Sequence, residues 1–129
     1  MANKARTKGH NGELELARLI NEILPLDAKR NLTQVRDGGA DINLEGLCVE
    51  VKRQETLNLN AWWDQVCRAA DDSGGVPVLA YRQNRRPWNF VLPGYLLVPG
   101  CSGRLTMDAD TFAAFLEHWF DGLEARTQT

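Results

Sequence analysis

Cysteine and histidine are scarce in this chain, with three and two copies in 129 residues. Cys48, Cys67 and Cys101 show no C-x-x-C spacing and have no histidine near them in sequence, which argues against a disulfide framework or a zinc site. Reduced thiols, mostly buried, are expected. His10 and His118 stand on different predicted elements with no partner at metal-ligand spacing, so neither reads as a ligand. Long apolar runs are also missing. Nothing approaches the roughly 20 apolar residues of a membrane span, and the opening MANKARTKGHNGE has no apolar core of signal-peptide length. A cytoplasmic protein with no membrane partner is expected. There is no repeat, no low-complexity stretch and no large excess of one charge, the formal net charge being −2.

What is present is an ordinary folding composition. Hydrophobic residues at 43% and charged residues at 25% are the mix of a soluble globular domain rather than of a disordered chain. The length suits a single domain over residues 1–129, with residues 1–10 as a flexible basic tail. The charges are segregated: residues 106–129 carry five acids (Asp108, Asp110, Glu117, Asp121, Glu124) and one base, Arg126, leaving 12 acids and 14 bases before them. The small net charge therefore does not exclude a polyanionic partner.

Apolar periodicity predicts a helix over 12–24, from Leu16, Ala17, Ile20, Ile23 and Leu24, with Asn11 as N-cap and Pro25 as the stop. Short strands are expected at 32–36, 40–44 and 47–53, divided by Asp37-Gly38-Gly39 and Glu45-Gly46, the last two forming a hairpin. A second helix is read at 60–72, ended by Ser73-Gly74-Gly75, followed by strands at 76–81 and 88–92. Phe112, Phe115, Leu116, Trp119, Phe120 and Leu123 mark an amphipathic C-terminal helix within 106–124, started near Asp108. Helix, three strands, helix, two strands, helix is a mixed α/β order.

The chemistry is concentrated between Asp41 and Lys52. Side chains alternate across a strand, so Glu50 and Lys52 of Cys48-Val49-Glu50-Val51-Lys52 share one face, and Val49 and Val51 the other. In the preceding strand Ile42 and Leu44 leave Asp41 on the opposite face, where hairpin pairing brings it beside Glu50. Two carboxylates so placed require a compensating cation, either a lysine or a bound metal. Mg2+ suits a few carboxylate oxygens, the Val51 carbonyl and a substrate phosphate. Lys52 is then available to position a water or to neutralise charge growing on a phosphoryl transition state. Glu13 joins by periodicity, lying three and seven residues before Leu16 and Ile20 on the inward stripe of the first helix; its plainer role is a charge favourable to the helix N-terminus. Glu15 runs with Arg18 and Glu22 along the polar face, the pattern of a solvated surface.

These residues resemble the PD-(D/E)XK nuclease motif and, more narrowly, archaeal-type Holliday junction resolvases. The resemblance spans roughly residues 8–92: Lys8-Gly9-x-x-x-Glu13 opening the first helix, Arg36 and glycines before Asp41, the Cys-Val-Glu-Val-Lys strand, and Gly74-Gly75-Val76-Pro77-Val78-Leu79-Ala80 followed by Trp88 and Phe90. Leu14 stands where that family commonly has arginine, and Ala40 where proline is usual. The resemblance implies a restriction-endonuclease-like fold, a mixed five-stranded sheet flanked by helices. It further implies Glu13, Asp41 and Glu50 as metal ligands for Mg2+ or Mn2+, Lys52 as the catalytic lysine, and a homodimer cutting branched DNA.

Around this site, Lys4, Arg6 and Lys8 of the tail, with Arg36, Arg53, Arg82, Arg85 and Arg86, are candidate phosphate contacts or plain solvated surface. Trp62 and Trp63 are read as packing residues ahead of base-stacking ones, and Gln65, off their stripe, is placed to touch the site from the second helix. The large apolar groups of the last helix exceed what one small sheet obviously needs, which suggests burial against a second subunit. Two rivals accompany the resolvase reading: a nicking, mismatch or general phage endonuclease using the same four residues, and a DNA-binding module without turnover.

Overall fold

The computed structural model of the chain describes residues 14–16, 18, 19, 22, 42–44 and 46–127, those at 42, 43 and 123–127 by their backbone alone. The first helix is represented by Leu14, Glu15, Leu16, Arg18, Leu19 and Glu22, all helical. Then come β1 (Ile42–Leu44), β2 (Leu47–Arg53), a central helix (Leu59–Ser73), β3 (Val76–Arg82), β4 (Asn89–Pro93), a 3-10 turn (Gly94–Leu96), β5 (Arg104–Met107) and a C-terminal helix (Ala109–Thr127). The predicted N-cap Asn11, the strand at 32–36 and the basic tail lie outside the described residues.

The five strands form one sheet in the order β1-β2-β3-β4-β5. All neighbours are antiparallel except β2 and β3, which run parallel with Val49 opposite Val78 and Glu50 opposite Leu79. A parallel pair needs a crossover, and the central helix supplies it. Gly74 ends that helix at φ 74°, in the left-handed region open to glycine. Gly75 follows so close to the β1–β2 turn that a Cβ there would lie 2.7 Å from the Cys48 sulfur and 2.9 Å from the Gly46 carbonyl oxygen. The joint is completed by the Val76 N–H donating to that same carbonyl at 2.8 Å.

The alternation of β2 divides the core in two. Leu47, Val49 and Val51 join Val78, Ala80, Phe90 and Leu92 in the larger cluster, closed by Leu16 of the first helix and by Phe112 and Leu116 of the C-terminal helix. Its centre is a ring stack of Phe90 on Phe112, 4.1 Å between centroids and 6° from parallel. On the opposite face Leu79 and Val91 pack beneath Trp62 and Val66 of the central helix, with Trp63 and Tyr81 at the margin. Trp62 and Trp63 are thus packing residues.

Two expectations require correction. Residues 104–107 form a strand that overlaps the helix bounds of 106–124, while the helix opens at Ala109, in line with a start near Asp108; the Asp108 carboxylate accepts the Thr111 N–H at 2.8 Å and caps it. Phe115, Trp119 and Phe120 of that helix pack against the larger cluster yet each stays half-buried, so its apolar surplus is only partly covered within the chain. Finally, of the three thiols only Cys48 is buried, while Cys67 is half-buried and Cys101 exposed; Cys101 lies in the open segment before β5, where no periodicity governs burial.

The cap yields a prediction. Hydrogen bonds from the Thr111 side chain and backbone hold the Asp108 carboxyl below its ordinary value of 3.8. A depressed carboxylate stabilises the fold fully above that ordinary value and loses its contribution as pH falls through the lower folded one. Asp108→Ala is expected to lower Tm by a few degrees at pH 7. The difference from the parent should shrink below pH 3.8, which thermal melts followed by circular dichroism will show.

Candidate active site

Glu50 is 4% exposed, the one charged residue among the buried side chains described. Its even position in β2 turns it away from the Val49 and Val51 side and under the central helix. Gln65 reaches it from there, donating Nε2 to Glu50 Oε1 at 2.9 Å. Gln65 follows the buried Trp62 by three residues and precedes buried Val66, so it stands at the rim of the apolar stripe. The residue is exposed as a whole while its side-chain amide reaches in to Glu50. A hydrogen bond to a carboxylate in an apolar surround is strong and directional, so Gln65 fixes how Glu50 presents its oxygens.

Lys52 follows on the same face, half-buried, opposite Tyr81 in the β2–β3 register. Tyr81 in turn lies 6.3 Å from the Trp62 ring. Among the described residues the Lys52 ammonium has no ion-pair or hydrogen-bond partner. Acid and amine therefore lie side by side at the margin of the smaller cluster, one step from its apolar wall.

Asp41, Glu13, Lys8 and Arg36 lie outside the described residues. Of the proposed metal-binding set, Glu50 and the Val51 main chain remain. Among the described residues no three of His, Cys, Asp and Glu converge. The donors present are oxygens only, a carboxylate and a strand carbonyl, and that chemistry fits a hard divalent cation rather than a thiophilic one.

Arg53, one position beyond Lys52, faces the other side. Its guanidinium donates to Glu15 Oε2 at 3.2 Å and to Asn84 Oδ1 at 2.6 Å. Arg82, opposite Arg53 in the register, pairs with the same Glu15. Glu15 is thus the bridge between the first helix and the ends of β2 and β3, not the solvated residue expected. Its partners come from a strand 38 residues away and the next one over, and i,i+4 patterning carries no trace of such contacts.

Cys67 lies on the central helix beside acidic neighbours. Burial pushes the Cys67 thiol above its ordinary 9.0, aided by Asp71 and Asp64 against a smaller opposing effect of Arg104. A raised thiol pKa of this kind disfavours the reactive thiolate. Burial also raises the Tyr95 hydroxyl, with Cys67 and Asp71 adding to the shift.

An acid and a lysine two residues apart on the second strand of a mixed sheet, with helices on both faces, fit the pattern of the PD-(D/E)XK nucleases. The chain belongs to the family described as "Phage putative PDDEXK endonuclease", whose profile matches residues 4–98. No curated protein matches it. Among solved structures it is similar to Hjc from Archaeoglobus fulgidus, a Holliday junction resolvase from an archaeal hyperthermophile, at 20% identity over 78% of this chain and 84% of that one, with a TM-score of 0.45. Nucleases of this class generally use divalent metals. No helix among the described residues is long and apolar enough to cross a membrane.

Proposed function

We propose that this protein is a Mg2+- or Mn2+-dependent endonuclease that hydrolyses DNA phosphodiesters, acting as a homodimer on branched or otherwise structured DNA. The observation that carries the reading is the buried Glu50 carboxylate, oriented by Gln65 and followed by Lys52 on the same face. The hairpin register of Ile42 opposite Val49 supports this reading, since its continuation by one pair would set Asp41 across from Glu50. Glu50, Asp41, Glu13 and the Val51 carbonyl would hold the metal. The chemistry that a bound divalent cation supplies is charge neutralisation at the phosphate and easier deprotonation of water.

The chain's own groups do the rest. Glu50 keeps its charge directed into the site because Gln65 occupies one oxygen from the helix side. Lys52 Nζ donates hydrogen bonds to the water or to a non-bridging phosphate oxygen, stabilising charge that grows as the bond to phosphorus forms. The apolar wall of Leu79, Val91 and Trp62 keeps the surroundings low in dielectric, which strengthens each of these interactions.

A general or nicking endonuclease with the same residues is the second reading. It is favoured by Leu14, 44% exposed where resolvases commonly carry arginine. A binding module without turnover is disfavoured, because a buried carboxylate with a neighbouring lysine is costly to keep without chemistry to perform.

Cleavage of labelled four-way junction, plain duplex and single-stranded DNA with Mg2+ or Mn2+ tests the proposal, comparing the parent with Asp41→Asn and Lys52→Ala. Symmetric junction cuts, lost in both variants, are expected. Cutting of duplex alone moves the protein to the general endonuclease. If the folded protein binds junctions yet cuts none of these DNAs, the enzyme reading fails.

A further inference from the structure

The turn between β3 and β4 is built in an unusual way. Arg85 adopts φ 60°, the only positive φ outside glycine among the described residues. A side chain there is strained, and strain of this kind persists where the surroundings over-determine the backbone. The surroundings do so here. The Arg86 N–H donates to the Gln83 carbonyl at 3.2 Å, and the Arg82 guanidinium Nε donates to the Arg86 carbonyl at 2.7 Å. From the segment after β2, the Glu55 carbonyl accepts Gln83 Nε2 at 2.6 Å and Glu55 Oε1 accepts the Asn84 N–H at 2.8 Å. Arg53 adds its bond to Asn84 Oδ1 at 2.6 Å. Five hydrogen bonds thus hold four residues.

The arginines divide into two kinds. Arg53 and Arg82 are partly buried, 16% and 27% exposed at the side chain, and are committed to Glu15. Arg85 and Arg86 are exposed at the tip, and among the described residues neither guanidinium has an acceptor. Two free cations are therefore displayed on a loop whose backbone is already fixed. The loop continues β3 beyond Arg82, which lies beside Arg53 in the parallel register. It stands at the end of the sheet where β2 emerges, three residues past Glu50, or roughly 10 Å along the strand.

We infer that the segment Gln83–Arg86 is a preorganised clamp for the DNA backbone, in which Arg85 and Arg86 each take a phosphate near the scissile one while Arg53 and Arg82 serve as its braces. The inference rests on the nuclease reading and deepens it. A rigid loop loses little entropy on binding, and guanidinium groups suit phosphate oxygens through paired N–H donors. The contacts are made to the backbone, so they set affinity and placement without reading sequence.

The strain at Arg85 provides the test. Arg85→Gly removes the cation and relieves the backbone, so binding and stability should move in opposite directions. In a Glu50→Gln background, chosen so that bound DNA is expected to stay uncut, duplex and four-way junction affinities are measured from 50 to 200 mM NaCl for the parent, Arg85→Gly, Arg86→Ala and the double variant. Each phosphate contact contributes about 0.9 to the slope of log K against log salt. The double variant should lose about 1.8 of that slope, with Tm unchanged or raised by Arg85→Gly. In the Glu50 protein, cleavage at sub-saturating DNA should fall together with the affinity. Unchanged affinity and slope in the double variant overturn the clamp while leaving the nuclease standing. A parent that binds none of the DNAs overturns both.

Discussion

Glu50→Gln is expected to reduce DNA cleavage at least about a thousandfold while leaving the fold intact. The change deletes one charge and almost no volume. Gln65 Nε2 can still donate to the side-chain oxygen it now meets at 2.9 Å, so the central helix keeps its place. What is lost is the negative oxygen that attracts the divalent cation. A metal's charge stabilisation at a phosphoryl centre amounts to several kcal/mol, and about 4 kcal/mol corresponds to a factor of about 10³ in rate. A second readout separates metal binding from folding. A cation that binds only the folded state raises Tm with its concentration, so the parent should gain stability on titration with Mg2+ or Mn2+, and Glu50→Gln should gain much less. Full activity in the variant, or equal metal-dependent stabilisation, would remove Glu50 from the site.

Phe112→Ala is expected to cost about 3–5 kcal/mol, the range for deleting a buried aromatic side chain. Phe112 is fully buried and stacked on Phe90, so it is the contact that fastens the C-terminal helix to β4. The gap cannot be filled readily: Phe115 lies 5.9 Å away on the same helix, and the facing strand is held by β3 and β5 on both edges. Chemical denaturation should show a lower midpoint at unchanged slope, and Phe112→Leu should recover part of the loss. A variant destabilised by less than 1 kcal/mol would mean that the helix is held elsewhere.

The parts of this molecule legible in its sequence are those governed by local periodicity. The strand over 47–53 and the one at 76–82 show β-branched alternation or a continuous apolar run, and Gly74 takes the left-handed position that Ser73-Gly74-Gly75 foretold. The pairing of Glu50 with Lys52 on one face follows from the same period of two. Gln65 falls off the tryptophan stripe, which alone does not say what it meets; the resemblance to related nucleases points it toward the site, and it bonds to Glu50. By contrast, β5 has no such signal in the sequence. Its burial alternates only between exposed and half-buried, and it exists because β4 offers an open edge, which is a tertiary fact. Glu15 was misread for a similar reason, since nothing near it in sequence announces two arginines from the far strands. Asp41 and Glu13 remain proposals on the strength of register and resemblance.

The parity of β2 has a consequence for how this chain can change over generations. Odd positions of the strand build the larger core and even positions carry the acid and the lysine. A one-residue deletion or insertion there would exchange the two sets, driving charges into the core and valines into the site. Substitution at Glu50 or Lys52 disarms the protein and leaves it folded, whereas a change of length between Leu47 and Arg53 abolishes both together. Inactive descendants that persist as folded proteins should therefore preserve the spacing of this strand even after they have lost its charges.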